Sequence, residues 1–300
     1  MTARVCVVGS VNLDLSFDVA ALPRPGETVL ASAARSAPGG KGGNQAVAAA
    51  RAGARVQFVG AVGDDAAADR LRTHLVSNGI GLEGIIGLPG PSGTAIIVVD
   101  SSAENTIVVA PGANGHLTLD DPNARTVVRD CDVLLTQLEI PLPTAVAAAQ
   151  EARSAGAVVI VNASPAGGDS RNTAALAELA ALADVVIANE AEAGEWRWPS
   201  PHLVVTLGRR GARYVGEDGE FHVPAPAVAA VDTTGAGDVF AGVLAANWPS
   251  KAAPNAAVAA GRLRALLRAC AAGALATMVP GAGDCAPYAG LIDQTAETRN

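Results

Sequence analysis

The segment Val231-Asp-Thr-Thr-Gly-Ala-Gly-Asp238, running straight into Val239-Phe-Ala-Gly242, gathers the residue types needed to handle an anion and a proton together. Its glycines loosen a turn, a run of backbone amides follows, and the spacing puts an acid on the first turn of a helix. The first amides of a helix lack intrahelical partners and lie at the positive end of its dipole, so such a start binds anions. A carboxylate in an anion site is electrostatically out of place unless it takes a proton from a reacting group. The combination points to phosphoryl transfer with Asp238 as the base.

Other segments carry weaker signals of the same kind. Pro38-Gly-Gly-Lys-Gly-Gly-Asn44-Gln45 opens a helix and lets backbone approach a ligand while Lys41 and Asn44 reach polar groups. Lys41 is followed by glycine rather than Ser or Thr, so this is not a Walker A loop; a helix entry with a solvated lysine fits it equally well. Asn12 and Asp14 follow the first strand and stand two apart, which puts them on one face of an extended segment, suited to adjacent sugar hydroxyls. The alternative is an Asx turn. Gln137-Leu-Glu139 and Asn189-Glu-Ala-Glu192 also place polar groups just after buried strands. A carboxylate beside phosphates ordinarily acts through Mg²⁺, whereas acids at a helix start also simply complement the dipole. Thr206-Leu-Gly-Arg-Arg-Gly211 reads as a nucleotide-binding turn or as a plain hairpin entry. The four histidines (His74, His116, His202, His222) stand in unrelated contexts and read as surface or packing residues, and no Gly-x-Ser-x-Gly elbow is present.

The elements that must position these groups alternate. Strands are predicted at Val5–Val8, Val56–Val62, Val133–Gln137, Val158–Asn162, Val185–Ala188 and Leu203–Leu207. Helices are predicted at Gly43–Ala52, Ala66–Asn78, Thr144–Ser154 and Asn172–Ala183, then from Asp238 through Asn247 and over Ala256–Thr277. The strands are unbroken apolar runs, the mark of a parallel sheet buried on both faces, so the expected fold is α/β and doubly wound. Two regions, about 12–36 and 93–111, have extended character without helices nearby and predict a small β-sheet projecting from the body, used as a flap over a site or as a dimer contact. With no linker long enough to divide it, 1–300 reads as a single domain.

The net charge of −8 argues against nucleic acid or an anionic membrane as partner. No apolar run approaches the ~20 residues of a membrane helix, and the first strand begins almost at once, leaving no room for a signal peptide. The four cysteines lack CxxC spacing, as in a reduced cytoplasmic chain.

Taken in order, Ser10-Val-Asn-Leu-Asp14, Leu22-Pro-Arg-Pro-Gly-Glu27, Gly39-Gly-Lys-Gly-Gly-Asn-Gln-Ala46, Val62-Gly-Asp-Asp65, Asn189-Glu-Ala-Glu192, Thr206-Leu-Gly208 and Asp232-Thr-Thr-Gly-Ala-Gly-Asp238 resemble the ribokinase-like (PfkB) sugar kinases over nearly the whole chain. The resemblance implies an ATP-dependent kinase acting on the primary hydroxyl of D-ribose, or alternatively on another pentose, a ketohexose or a nucleoside. A sensor of nucleotide or sugar that kept the fold without catalysis is the other class. It implies that Asn12, Asp14, Gly40, Lys41, Asn44 and Glu139 hold the sugar, and that Asp238 is the base. Gly235, Ala236 and Gly237 would form the anion hole. Asn189, Thr206, Gly208, Gly211 and Gly237 would bind ATP, and Glu192 would support Mg²⁺ through water. A K⁺ site would draw on Asp232, Thr234, Ala276, Gly281 and Cys285. The expected architecture is a body of about nine strands with a β lid, pairing through the lid into a homodimer.

Two departures stand out. The family carries a helix of roughly twenty residues before the Thr-x-Gly strand, where this chain has only Gly194-Glu-Trp-Arg-Trp-Pro-Ser-Pro201. Cys285 stands where the family places a serine, and a thiol is a poor ligand for a hard cation.

Overall fold

The computed structural model describes residues 2–102, 104–165, 173–251 and 255–297. In chain order the strands are β1 (Arg4–Val8), β2 (Asn12–Asp18), β3 (Ala33–Gly39), β4 (Arg55–Val62), β5 (Gly81–Gly87), β6 (Gly93–Val99), β7 (Asn105–Ala110), β8 (Val133–Thr136), β9 (Val158–Asn162), β10 (Val185–Asn189), β11 (His202–Thr206), β12 (Ala212–Gly216) and β13 (Gly219–Val223). The helices are α1 (Lys41–Arg51), α2 (Ala66–Ser77), α3 (Pro122–Arg129), α4 (Leu142–Ser154), α5 (Thr173–Leu182), α6 (Glu190–Glu195), α7 (Ala236–Asn247), α8 (Asn255–Ala276) and α9 (Ala289–Glu297).

Nine strands form the body in the order β13-β12-β11-β10-β9-β8-β1-β4-β5, parallel except for the hairpin β12–β13, which pairs antiparallel at one edge. Every residue of β8 and β9 is buried, which is why these strands read as unbroken apolar runs. The chain leaves β1 toward β4 and β5, then returns to the other side of β1 as β8. The strand order therefore reverses between β1 and β8, and the crevice beyond their carboxyl ends is the place where such sheets bind ligands. One core cluster packs Phe58, Phe240, Leu244 and Trp248 beneath one set of helices, and a second packs Leu134, Leu179 and Val186 on the opposite face.

The projecting sheet has four strands in the order β3-β2-β6-β7. Its first segment reaches Gly39 rather than stopping near residue 36. The pairs Leu15–Ile96 and Ile96–Val108 sit opposite one another, as do Asp14–Ala95 and Ala95–Val109. Side chains alternate across a sheet, so one face carries Asn12 and Asp14 and the other Leu13, Leu15, Phe17, Ile96, Val98 and Val108. Ile96 and Val108 are 42% and 60% exposed.

Several boundaries differ from the sequence reading. Helix α1 begins at Lys41, not Gly43, because glycine is tolerated on the first turn where Gly40 caps it. Strand β8 ends at Thr136, leaving Gln137 fully buried in the turn that follows. Strand β5, rich in glycine, and the short helix α3 gave no apolar period to detect. The first residue of the helix expected at Asn172–Ala183 lies outside the described residues. The link between β10 and β11 holds only the six-residue α6, as its shortness implied. There Trp196 packs against the second core cluster and meets Trp198 edge-on with ring centroids 5.2 Å apart, covering sheet that a longer helix would cover.

Candidate active site

The link after β1 delivers Ser10 to the crevice, the first residue of β2 delivers Asn12, and the turn after β8 delivers Glu139. The Ser10 hydroxyl donates to Glu139 Oε2 at 2.6 Å, and the Lys41 amide donates to the same oxygen at 3.2 Å. One carboxylate thus ties the end of β1 to the start of α1. Asn12 is buried, its Oδ1 accepting from Asn114 Nδ2 at 2.8 Å, while Asn114 Oδ1 accepts from the Val11 amide at 3.0 Å. Asn114 follows β7, so this amide clamps the lid's root to β1. The Asp14 carboxyl has one oxygen buried without a partner. Burial, with the charges of Glu139 and Asp238 added to it, pushes Asp14 up to about 7. A buried, unpaired acceptor on the lid face turned to the crevice suits a ligand that brings its own hydroxyl donors.

Asp238 is buried on the first turn of α7, 8% exposed. Both its oxygens accept from α1: Asn44 Nδ2 donates to Oδ2 and Gln45 Nε2 donates to Oδ1, each at 3.0 Å. Asn44, expected to hold the sugar, directs its amide nitrogen to Asp238. Lys41 lies in the same neighbourhood. Burial would lower its pKa, but Asp238, Glu139 and Glu192 outweigh that and raise it, so the side chain stays an ammonium.

Lys41, Asn162, Asn189, Glu192, Thr206, Gly235, Gly237 and Asp238 line one cavity of about 160 Å³. Gly235 caps α7 with φ +77°, a conformation that favours glycine, and a Cβ there would stand 2.9 Å from the Ala282 backbone. The Ala236 amide reaches the Thr233 carbonyl only at 3.3 Å, and the amides behind it begin a helix with no earlier turn to bond. A second groove, about 810 Å³, opens alongside and shares Asn189, Thr206 and Gly237 with the first; Gly208, Gly211 and Ala236 also line it, with Ala225, Pro226, Val228, Phe240 and Ala274 giving it an apolar floor. A polar cleft running into an apolar groove across a helix N-terminus fits a nucleoside polyphosphate. Glu192 is buried and forms a capping box with Asn189, whose amide donates to Glu192 Oε2 at 2.8 Å. The acid thus caps its helix, though buried rather than solvated, and lines the cavity as well.

Asp232 accepts from the Thr234 amide at 2.9 Å and the Gly281 amide at 2.8 Å. Burial works against its charge, but these bonds outweigh it and hold Asp232 below the usual carboxylate range. Ala276 ends α8, its carbonyl accepting from Val279 at 3.2 Å. The Cys285 thiol donates to the Ala282 carbonyl at 3.2 Å, and burial with the nearby Asp238 charge pushes it up to about 11. It is a neutral thiol with its proton committed. The two loops meet through the bond from the Gly281 amide to Asp232. Among the described residues no cluster of three or more His, Cys, Asp or Glu side chains is placed to hold a metal.

The sequence reading placed Gln137 after a buried strand and Ser10 in a motif without giving either a role, and it did not single out Asn114 or Asn162. Each is polar and fully or nearly buried; polar residues ending apolar strands were the available signal for Gln137 and Asn162, and Asn114 had none.

The profile described as pfkB family carbohydrate kinase matches residues 2–289. A ribokinase of Bacillus subtilis is 35% identical over 281 residues, covering 90% of this chain and 94% of the relative. A deoxyribokinase of Salmonella typhimurium is 34% identical, covering 80% and 84%. The solved structure of Arabidopsis thaliana ribokinase complexed with ribose and ATP superposes with a TM-score of 0.84 at 26% identity, covering 99% of both chains.

Proposed function

The chain belongs to the PfkB family of carbohydrate kinases, and from that premise we propose that it transfers the γ-phosphoryl group of ATP to the primary hydroxyl of D-ribose, giving ribose 5-phosphate. The observation that carries this reading is the position of Asp238: a buried carboxylate on the first turn of α7, beside the Gly235–Gly237 amides and facing a cavity that continues into the nucleotide-shaped groove.

The sugar lies between the lid and the crevice, its hydroxyls received by Asn12, Asp14, Lys41 and Glu139, with Gly40 keeping the backbone close. Asp238 accepts the proton of the primary hydroxyl as its oxygen attacks the γ-phosphorus, and the bond to the β–γ bridging oxygen breaks to release ADP. The anion-hole amides of Gly235, Ala236 and Gly237 receive charge on the equatorial oxygens, and Lys41 lies close enough to add to that field. ATP occupies the groove beside Asn189, Thr206, Gly208 and Gly211. Most of the rate comes from positioning and electrostatics rather than covalent chemistry. Closure of the lid excludes water and so suppresses hydrolysis of ATP.

The donor set fits a hard divalent ion held mainly by phosphates, with Glu192 acting through water. Mg²⁺ held there would neutralise phosphate charge. The oxygens of Asp232, Thr234, Ala276 and Gly281 suit K⁺, whereas the Cys285 thiol, its proton on a carbonyl, contributes little. The exposed apolar side chains of the lid support a homodimer, and a cytoplasmic location accords with the reduced cysteines. No helix among the described residues is long and apolar enough to cross a membrane.

ATP consumption over a panel of ribose, 2-deoxyribose, other pentoses, ketohexoses and nucleosides, with and without K⁺, tests the substrate. Ribose turning over with the highest kcat/KM is the expected outcome. Binding of sugar and ATP without turnover of any member would replace the kinase with a sensor. In the same assay Asp238→Asn is expected to keep both KM values and lose about 10²–10⁴-fold in kcat; near-native turnover would remove the base assignment.

A further inference from the structure

Behind Asp238 runs a file of buried side-chain amides. Gln45 and Gln137 are fully buried, and Asn162 is 7% exposed. Asn162 Nδ2 donates to the Ile187 carbonyl at 3.2 Å, so its Oδ1 points the other way and accepts from Gln45 Nε2 at 3.1 Å. The same Gln45 nitrogen donates to Asp238 Oδ1 at 3.0 Å, and Gln45 Oε1 accepts from Gln137 Nε2 at 2.7 Å. The Ile187 carbonyl sets the Asn162 amide and two acceptors set the Gln45 amide, whereas Gln137 Oε1 is buried with no hydrogen-bond partner of its own. With two acceptors on one side of Gln45 and a donor on the other, only one orientation satisfies them all. Gln137 is pinned in turn by Gly9, where a Cβ would stand 2.0 Å from Gln137 Oε1.

We propose that Gln137 and Gln45 form a positioning relay for the phosphoryl transfer: Gln137 fixes the orientation of the Gln45 amide, and Gln45 presents its N–H to Asp238 and so aims the base. The inference rests on Asp238 being the base. Neither glutamine lines the cavity that receives substrate, so both act through Asp238. If the Gln45 amide turned over, its carbonyl oxygen would face a carboxylate oxygen and displace it. Gln137 is the residue that prevents the turn, by filling Gln45 Oε1.

Single-turnover transfer rates, KM values and melting temperatures of Gln45→Met, Gln137→Met, the double variant and Gly9→Ala test the relay. Gln45→Met and Gln137→Met are expected to slow transfer about 10- to 100-fold, the scale at which outer hydrogen-bond partners act on a working group. Both KM values should stay near native. Because Gln137 works through Gln45, the double variant should be no slower than Gln45→Met, within about twofold. Gly9→Ala keeps every polar group but displaces Gln137, so it should slow transfer like Gln137→Met. It also answers the question if the methionine variants do not fold. Multiplying losses in the double variant, a fall confined to KM, or native rates in both Gln137→Met and Gly9→Ala would overturn the relay. Asp238→Asn separates the two ideas: its activity reports on the base assignment alone, whatever the glutamine variants do.

Discussion

Asp14 carries the tension between stability and function in a single side chain. Its carboxyl is largely buried, has an unpartnered oxygen, and is pushed up to about 7 by burial and by Glu139 and Asp238. In the unfolded chain the same group titrates near 3.9. Below that pH both states are protonated and Asp14 has no effect on stability. Between about 4 and 7 the native state holds the extra proton, so stability falls as pH rises through this window and the full penalty is present above about 7. Asp14→Asn is therefore expected to melt above the native protein at pH 8, with the gain shrinking to nothing at pH 4, and to lose ribose affinity. Melting curves at the two pH values with ribose titrations check it; an Asn variant less stable at pH 8 would show that Asp14 is favourably paired. Asn12, Asp14, Lys41 and Asp238 were legible because their types and spacing recur as motifs. The partners of Gln137 and Asn114 were not, since a buried amide takes its role from the group it meets, and those partners lie 92 and 103 residues away in the chain.

At the scale of elements, the start of α7 and the turn before it form the proposed anion site. Gly235 combines φ +77° with a virtual Cβ 2.9 Å from the Ala282 backbone. Gly235→Ala must strain the residue and push the 281–285 loop away, at a cost of about 1–3 kcal/mol. The expected outcome is a lower melting temperature together with a fall in kcat larger than the change in KM for ribose, because the displaced amides serve the transferred group. A variant of native kcat would mean that the turn relaxes without moving them. The alternation of parallel strands and helices was readable from apolar runs, which two-sided burial enforces. Edge elements were harder: β12 and β13 mix polar and apolar residues because one margin is solvated, and β5 is weakened by its three glycines. The brevity of the link after β10 was readable from residue count alone. The packing of Trp196 over the exposed sheet was not, since an aromatic in a loop gives no period.

On the scale of the whole molecule, the lid sets the question of assembly. Its pairing register divides the four strands into a face that carries Asn12 and Asp14 and a face that carries Leu13, Leu15, Phe17, Ile96, Val98 and Val108. The second face also carries Ser36, Thr94 and Thr106, and exposed apolar side chains lie on both faces, Ile96 and Val108 on the second and Ile107 and Val109 on the first. Strand β7 is also an edge, with unpaired backbone groups along one side. A sheet of this kind is stabilised when a second copy covers it, and a twofold pair would bury the same face on both chains. Val108 lies mid-strand opposite Ile96, so Val108→Lys places a charge at the centre of that face without touching the sugar residues on the other. Light scattering at micromolar concentration is expected to give twice the chain mass for the native protein and the single-chain mass for Val108→Lys. Because the lid's root is clamped to β1 through Asn114, the monomer should still fold and bind ATP in the distant groove. Its KM for ribose should rise, as an unsupported lid closes less often over Asn12 and Asp14. A native protein that is already a monomer, or a variant that stays dimeric, would assign this face to lid closure alone.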